Sequence, residues 1–289
     1  MAFLHMFKKH KKINRSFGGT LLLLFCLSSL GIVMVLPLYL LVISAFKPVD
    51  ELFAFPPRFF IIRPTLLNFD TMYRIVSNMY IPFSRYVFNS FYVSVVTTFF
   101  HVLIASAAAY PLAKGKFSGK SLLFNLVVWS LLFSAPVTGV PRYVILAKGG
   151  LLNSHWAIIL PQIQSVLGLF LMKQFMENIS DSILEAARID GANEYRIFWS
   201  IAMPQVKPAW LTLVIFAFQA VWADSGQNVL FEETLKTIPV ALSQLQNSTI
   251  SRVGAIAAAS LIMIIPPILV FVFNQSRVIE TMTQSGIKE

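Results

Sequence analysis

Glu185-Ala186-Ala187-Arg188-Ile189-Asp190-Gly191-Ala192, running on to Ile201-Ala202-Met203-Pro204, is the one long polar run set between hydrophobic stretches of membrane-spanning length. Ser182-Ile183-Leu184-Glu185 has the form of a Ser-x-x-Glu capping box, which predicts a helix beginning there. Ala186, Ala187 and Arg188 are good helix formers. Gly191 falls where that helix should stop, and Asn193 can cap a second one. In the second helix Tyr195, Ile197, Phe198, Ile201 and Ala202 give an apolar face towards the membrane. Pro204 and Pro208 end it before the next hydrophobic stretch. The expected shape is a slim exposed helix, a sharp return at Gly191 and a rooted second helix. Such a knob suits docking, with Glu185 and Arg188 offering charge-assisted contacts to a partner. Spacing alone supports an ordinary amphipathic loop helix equally well.

Composition places this run in a membrane protein. The chain is 56% hydrophobic and 12% charged, with mean hydropathy +0.71 and 26 Phe. Soluble domains carry about 25% charged residues. The net charge of +10 is read as basic loops on the inner side of a membrane rather than as a nucleic-acid surface. The single cysteine, Cys26, excludes a disulfide framework and a Cys/His metal pattern. Phe25 is too large for the residue before a lipoprotein cysteine. The run from Ser16 to Phe46 is too long for a signal-peptide core of about 7–15 residues, so it is expected to be an uncleaved first span.

Stretches free of Asp, Glu, Lys and Arg run 16–46, 86–113, 121–141, 149–172, 208–223 and 253–276. A spanning helix needs about 17–25 apolar residues. Five stretches suffice outright, and 208–223 is expected to extend past Asp224 towards Leu230. The reading is all-α, with six transmembrane helices. With the N-terminus inside, the outer segments hold only nine of the 23 Lys and Arg. Lys114, Lys116 and Lys120 crowd one very short inner loop, where charge bias is most informative. Both termini are therefore expected in the cytoplasm. The expected division is a basic tail over 1–15, a six-span domain over 16–276 with the docking loop at 178–204, and a tail over 277–289.

Between Lys47 and Arg85 the first outer segment begins Pro-rich (Pro48, Pro56, Pro57, Pro64). Asn68 can then cap a helix carrying Phe69, Met72, Tyr73, Val76, Met79 and Tyr80 at helical spacing. Packing over the bundle and contact with an external partner both remain open for it. Ala107-Ala108-Ala109 permit close helix approach. Gly149-Gly150-Leu151-Leu152-Asn153-Ser154 is a turn-and-cap sequence, and Pro266-Pro267 predict a kink in the last span.

At the opening stretch the chain resembles a permease subunit of a bacterial carbohydrate ABC importer, the class that includes the maltose-transporter permeases. That family's cytoplasmic pattern is Glu-Ala-Ala, three residues, Gly, nine residues, Ile-x-Leu-Pro. Glu185-Ala186-Ala187, Gly191, Ile201 and Pro204 match it, with Met203 in place of Leu. Ser44-Ala45-Phe46-Lys47, Asn89-Ser90, Ala108-Ala109-Tyr110, Phe117-Ser118-Gly119-Lys120 and Gly150-Leu151-Leu152-Asn153 extend the resemblance. So does the tail around Thr281-Met282 and Ser285-Gly286-Ile287-Lys288. Trp222-Ala223-Asp224 departs from the Trp-Asn-Asp of many relatives. The resemblance implies a type I ABC importer transmembrane domain in the bacterial plasma membrane. It implies a second permease subunit forming a heterodimer, an extracytoplasmic sugar-binding protein and two cytoplasmic ATPase subunits or domains. Glu185, Ala186, Ala187, Arg188, Asp190, Gly191, Ala192 and Pro204 would form the coupling element. ATP and Mg would be bound by the partner ATPase, with no cofactor in this chain; no Gly-x-x-x-x-Gly-Lys-Ser/Thr loop occurs.

A stand-alone secondary transporter or channel is the alternative. That class places ionisable groups mid-membrane for coupling, and here the spans offer only His101 and, at a span end, His155. His101 stays open between a structural and a pathway-facing role. Aromatic and amide groups suit sugars, so Gln219, Trp222 and Asn125 are the pathway candidates. An interfacial aromatic role is the simpler alternative for Trp222. A membrane enzyme would need a cluster of His, Asp or Glu at one face, and none is visible.

Overall fold

The structure is a computed structural model. It describes residues 17–56, 58–77, 81–133, 135–224, 226, 228–246 and 253–285. Among these the regular elements are all helical. In chain order they are α1 (Phe17–Phe46), α2 (Val49–Leu52), α3 (Leu67–Ser77), α4 (Phe83–Lys114), α5 (Lys120–Ser130), α6 (Ala135–Lys148), α7 (Trp156–Ile163), α8 (Val166–Glu177), α9 (Asp181–Ile189), α10 (Glu194–Ile197), α11 (Met203–Gln205), α12 (Lys207–Ala223), α13 (Ile238–Gln246) and α14 (Val253–Ser285). A π-helical turn, Phe198–Ala202, joins α10 to α11, and a 3-10 turn, Glu233–Leu235, precedes α13.

Four segments are long and apolar enough to cross a membrane: Gly18–Phe46, Phe83–Lys114, Trp156–Glu177 and Val253–Gln275. A fifth is formed if Glu194–Gln205 and Lys207–Ala223, bent by 79° at their junction, are one broken span. The expected third span, 121–141, is not one helix. It divides at residues 131–133 into α5 and α6, of 11 and 14 residues, each too short to cross alone at 1.5 Å per residue. The fifth stretch does not extend towards Leu230. Helix α12 stops at Ala223, where Asp224 turns extended (φ −74°, ψ 121°) and Gly226 follows at φ +61°. At the other end α14 continues to Ser285, past the charge-free stretch. The tail 1–15 and residues 286–289 lie outside the described residues.

Helix α4 is the hub, packed against α7, α8 and α12. Its buried side carries Asn89, Ser90, Ser94, Thr97, Thr98, His101 and Ser106 among small apolar residues. Such a surface lets neighbouring backbones come close where lipid offers no hydrophobic drive. Helices α1 and α14 pack together with α3 across them. Asn68 does not cap α3. It lies inside that helix and donates to the carbonyls of Ala45 (3.0 Å) and Lys47 (2.6 Å), closing the end of α1. Thr65 Oγ1 instead accepts from the Leu67 amide (3.1 Å). Phe69 and Met72 pack towards Ala45 and Ala257–Ala258, so this helix covers the bundle. Met79 and Tyr80 lie outside the described residues.

Each interruption of a helix inside the bundle frees backbone groups that must find partners. Trp156–Glu177 breaks at Gln164, which is extended (ψ 126°). The freed Gln162 carbonyl accepts from His101 Nδ1 (3.2 Å), and Ser165 Oγ caps α8 through the Gly168 amide (3.0 Å). Since a carbonyl only accepts, His101 carries its proton on Nδ1. The histidine thus repairs a broken span, which supports its structural reading. Pro267 lacks the N–H that would bond Met263, and Trp222 Nε1 donates to that carbonyl (2.9 Å).

Candidate functional site: a helix–turn foot on the bundle

The polar run folds as the helix, turn and second helix expected, and the mechanism of the turn is visible in its hydrogen bonds. Gly191 sits at φ +80°. Its amide bonds the Arg188 carbonyl (3.0 Å), and the Ala192 amide bonds the Ala187 carbonyl (3.0 Å). This pair of bonds is a Schellman closure, in which the residue past the helix must be left-handed and is therefore usually Gly. Ala187 and Ala192 both pack on the apolar cluster beneath, supplying the contact that accompanies the motif. The spacing of Ala187 from Gly191 is thus explained by the fold. Asn193 Oδ1 accepts from the Arg196 amide (2.8 Å), capping α10 as expected.

The start of α9 differs from the expected capping box. The helix begins at Asp181, with Ser180 at the cap position making no side-chain bond to the backbone. Lys114, at the end of α4, ties the junction between α8 and α9 together. Its Nζ donates to the carbonyls of Glu177 (3.1 Å) and Ile179 (2.6 Å) and to Asp181 Oδ1 (2.8 Å). One ammonium thereby closes the end of α8 and ties it to the first residue of α9. The Lys114 hydrogen bond and charge hold the Asp181 carboxyl below its ordinary range.

The underside of the foot is fixed at several points. Leu184 is 1% exposed and joins Met172, Met176, Ile179, Ile197 and Phe198 in one cluster. Arg188 Nε donates to Glu194 Oε1 (2.7 Å), and Tyr110 OH donates to Glu194 Oε2 (3.0 Å). Hydrogen bonding to Glu194 raises the Arg188 pKa above its ordinary value. The ring of Tyr110 meets Phe198 edge-on at 5.5 Å. The chain widens into the π turn over Phe198–Ala202, ahead of Pro204, whose ring displaces the carbonyl four residues back, and then bends by 79° at Val206. Trp210 Nε1 donates to the Met203 carbonyl at that corner (3.2 Å).

The outward face carries Glu185 and Ala186, both exposed, with Ile183 and Asp190. Ile189 is 87% exposed. Arg188 turns back onto Glu194 rather than standing free beside Glu185. Pro204 is exposed at the corner, away from the tip.

The three pathway candidates are not brought together. Trp222 is buried, stacked on Phe218 at 5.5 Å and bonded to Met263. Gln219 is exposed one turn back on α12. Asn125 lies in the middle of α5 and lines a separate cavity with Lys120 and Lys173. Sequence reasoning did not single out Lys114, Tyr110 or Glu194 as parts of the foot. Tyr110 and Lys114 lie some seventy residues from it in the chain, so no local pattern linked them. Glu194 bonds Arg188 across a turn, outside any helical spacing.

An all-helical bundle with spans of membrane length and a rigid foot at one end defines a membrane transport subunit. Residues 2–280 match the family described as binding-protein-dependent transport system inner membrane component, and the chain belongs to that family. It is 28% identical over 261 residues to the arabinooligosaccharides transport system permease protein AraQ of Bacillus subtilis, covering 90% of this chain and 92% of that one. It is 32% identical over 201 residues to the polygalacturonan/rhamnogalacturonan transport system permease protein YtcP of the same organism, covering 70% and 68%. Protein LplC of Bacillus subtilis is 30% identical over 241 residues, covering 83% and 79%. A chain in the crystal structure of a bacterial ABC transporter involved in the import of the acidic polysaccharide alginate shares the fold. The TM-score is 0.76 at 20% identity, over 92% of this chain and 99% of that one.

Proposed function

We propose that this chain is one of two permease subunits of an ABC importer that carries a sugar or oligosaccharide into the cytoplasm, with a separate ATPase acting on the Glu185–Ala192 foot. The names of the AraQ and YtcP relatives support the carbohydrate substrate. The foot side is taken as cytoplasmic because Lys114, Lys116, Lys120, Arg188, Arg196 and Lys207 gather there. Both termini then face the cytoplasm. Helices α5 and α6 together supply the sixth crossing. An extracytoplasmic binding protein delivers the sugar on the opposite side.

The single observation that carries the coupling role is the closure at Gly191. It holds α9 as a rigid projection whose one face is clamped to α4 and α8 and whose other face bares Ile189. A force on Ile189, Glu185 and Ala186 therefore moves the bundle rather than bending a loop.

The test is Gly191→Val in the complete importer, reconstituted in vesicles. Left-handed backbone costs an ordinary residue about 1–2 kcal/mol, more when β-branched. Membrane insertion should persist, while uptake per ATP hydrolysed falls. Normal ATP-driven uptake by this variant would overturn the coupling assignment. Purification of the tagged chain in mild detergent checks the partners. Recovery alone, as a homo-oligomer that moves solute without ATP, would favour the stand-alone transporter.

A further inference from the structure

At the end of the bundle away from the foot lies a cavity of about 740 Å³ between α6, α7 and the segment that follows α12. This is within the range of small-molecule sites. Two breaks in the helices build it. Helix α12 stops at Ala223, which leaves Asp224 at the rim, and Gly226 turns the chain back over α7. Gly226 is left-handed at φ +61°, and a Cβ there would meet Ile158 Cδ1 at 2.5 Å. The left-handed backbone at this position favours glycine, and the Ile158 side chain lies close against it.

The polar groups in the cavity divide into satisfied and free. Gln162 Nε2 donates to Asp224 Oδ2 (2.8 Å), and the Gly226 amide donates to Asp224 Oδ1 (2.9 Å). Each oxygen of Asp224 thus already holds a donor. Arg142, on α6, lines the same cavity and makes no hydrogen bond or ion pair with the described residues. The donors on Asp224 are neutral amides, so its charge remains; among the described residues Arg142 is the one cation lining the cavity, and no described group pairs with it. Tyr143 beside it and Phe231 on the opposite segment are 42% and 58% exposed and present ring surface. Asn228 adds an exposed amide.

We infer that this cavity is a saccharide subsite that takes a glycosyl unit bearing a carboxylate, with Arg142 reading the carboxylate. The inference rests on the carbohydrate-importer reading above. Rings stack on the C–H face of a pyranose, amides and the Asp224 carboxylate meet hydroxyls, and a planar guanidinium matches a carboxylate in bidentate fashion. Gln162 lines both this cavity and a smaller one of about 230 Å³ that holds His101, Gln164 and Ser165 at the break in the span. A unit leaving the outer cavity meets the interrupted span next, where backbone polar groups replace lipid-facing side chains.

The test uses the complete importer in vesicles, with its binding protein, and two labelled probes, trigalacturonate and its carboxyl-reduced neutral counterpart, galactotriose, with labelled arabinotriose as a third sugar for control. The expected result is uptake of the acid, with the neutral probe carried roughly tenfold or more slowly, the scale of one lost charge-assisted contact. Arg142→Gln should lower acid uptake by about the same factor and Arg142→Lys by less. Tyr143→Leu should weaken uptake without changing the preference for charge. Gel filtration of each variant complex separates loss of assembly from loss of recognition. Equal uptake of both probes, or an Arg142→Gln complex that assembles and carries the acid normally, overturns the inference. Uptake of galactotriose or arabinotriose but not trigalacturonate overturns it and leaves the carbohydrate reading standing. Failure of all three sugars to stimulate ATP hydrolysis or enter the vesicles removes the carbohydrate reading itself and the inference with it.

Discussion

Replacing Leu184 with Ala removes the one side chain of α9 that is buried, at 1% exposure, among Met172, Met176, Ile179, Ile197 and Phe198. Leu→Ala at such sites costs about 2–5 kcal/mol. The Lys114, Arg188 and Gly191 bonds that also hold the foot are left in place. Opening of the foot from the bundle should therefore become roughly 30- to 3000-fold more frequent. Hydrogen exchange reads this directly. The amides of Asp190, Gly191 and Ala192, bonded at 2.9, 3.0 and 3.0 Å, should exchange faster by that factor, while amides in the middle of α4 and α12 keep their protection. In the reconstituted importer ATP hydrolysis should continue while uptake per ATP falls. Ile189→Ser is the paired variant. It removes an exposed contact, so it should leave foot exchange unchanged and weaken retention of the ATPase. If Leu184→Ala changed neither foot exchange nor coupling, the clamped-foot reasoning would be wrong.

Three further outcomes follow from the joints. The Asp181 pKa is depressed by Lys114. Its contribution is thus complete above the unfolded carboxyl value, about 4, and is lost as pH falls through the lower folded value. Exchange of the α9 amides should rise below about pH 4 in the native chain, and Asp181→Asn should abolish that dependence; an unchanged pH profile refutes the pair. Asn153 is left-handed at φ +57°, and its Oδ1 accepts from the Phe231 (3.1 Å) and Glu232 (2.8 Å) amides. Thermal stability should therefore fall in the order Asn153, Asn153→Gly, Asn153→Ala, with the last losing about 1–3 kcal/mol. An Ala variant as stable as the parent would sink the account. Trp222→Phe keeps the stack on Phe218 but orphans the Met263 carbonyl, costing about 1–3 kcal/mol. Transport per folded complex should be unchanged, and a shifted KM for sugar with unchanged stability would instead put Trp222 in the pathway.

The Gly191 return, the Asn193 cap and the long spans are short-range features, set by residues within a few positions of one another, and they could be read from the chain. The division of 121–141 was not visible. The stretch carries no charged residue, and hydropathy does not register where a helix breaks. The break at Gln164 is equally quiet in sequence, because what stabilises it is His101, some sixty residues away. Asn68 was misassigned for a related reason. An Asn ahead of an amphipathic run has the form of a cap, yet its side chain serves three carbonyls of the preceding span. The pathway candidates were chosen by residue type alone. Burial then separated Trp222, whose indole repairs the gap left by Pro267, from Gln219, which stays exposed.

The foot and the outer cavity are joined by two stiff rods. Helix α4 has 32 residues, about 48 Å at 1.5 Å per residue. Its inner end carries Tyr110 and Lys114, which hold the foot. Its outer end carries Tyr86 and Asn89, which bond Glu233 (2.6 Å) and the carbonyls of Thr234 (2.8 Å) and Lys236 (2.9 Å) in the segment leading away from the cavity. Helix α12 starts at the Val206 corner beside the foot and ends at Asp224 on the cavity rim. Movement of the foot must therefore act on both rods at one end and on both supports of the rim at the other. Helices resist bending, so the change of shape should concentrate where the ladder is already broken, at Val206 and at Gln164–Ser165. The second of these joints lines the smaller of the two cavities that share Gln162. A rotation there should reshape the smaller cavity without requiring the foot or the rim of the larger one to unfold.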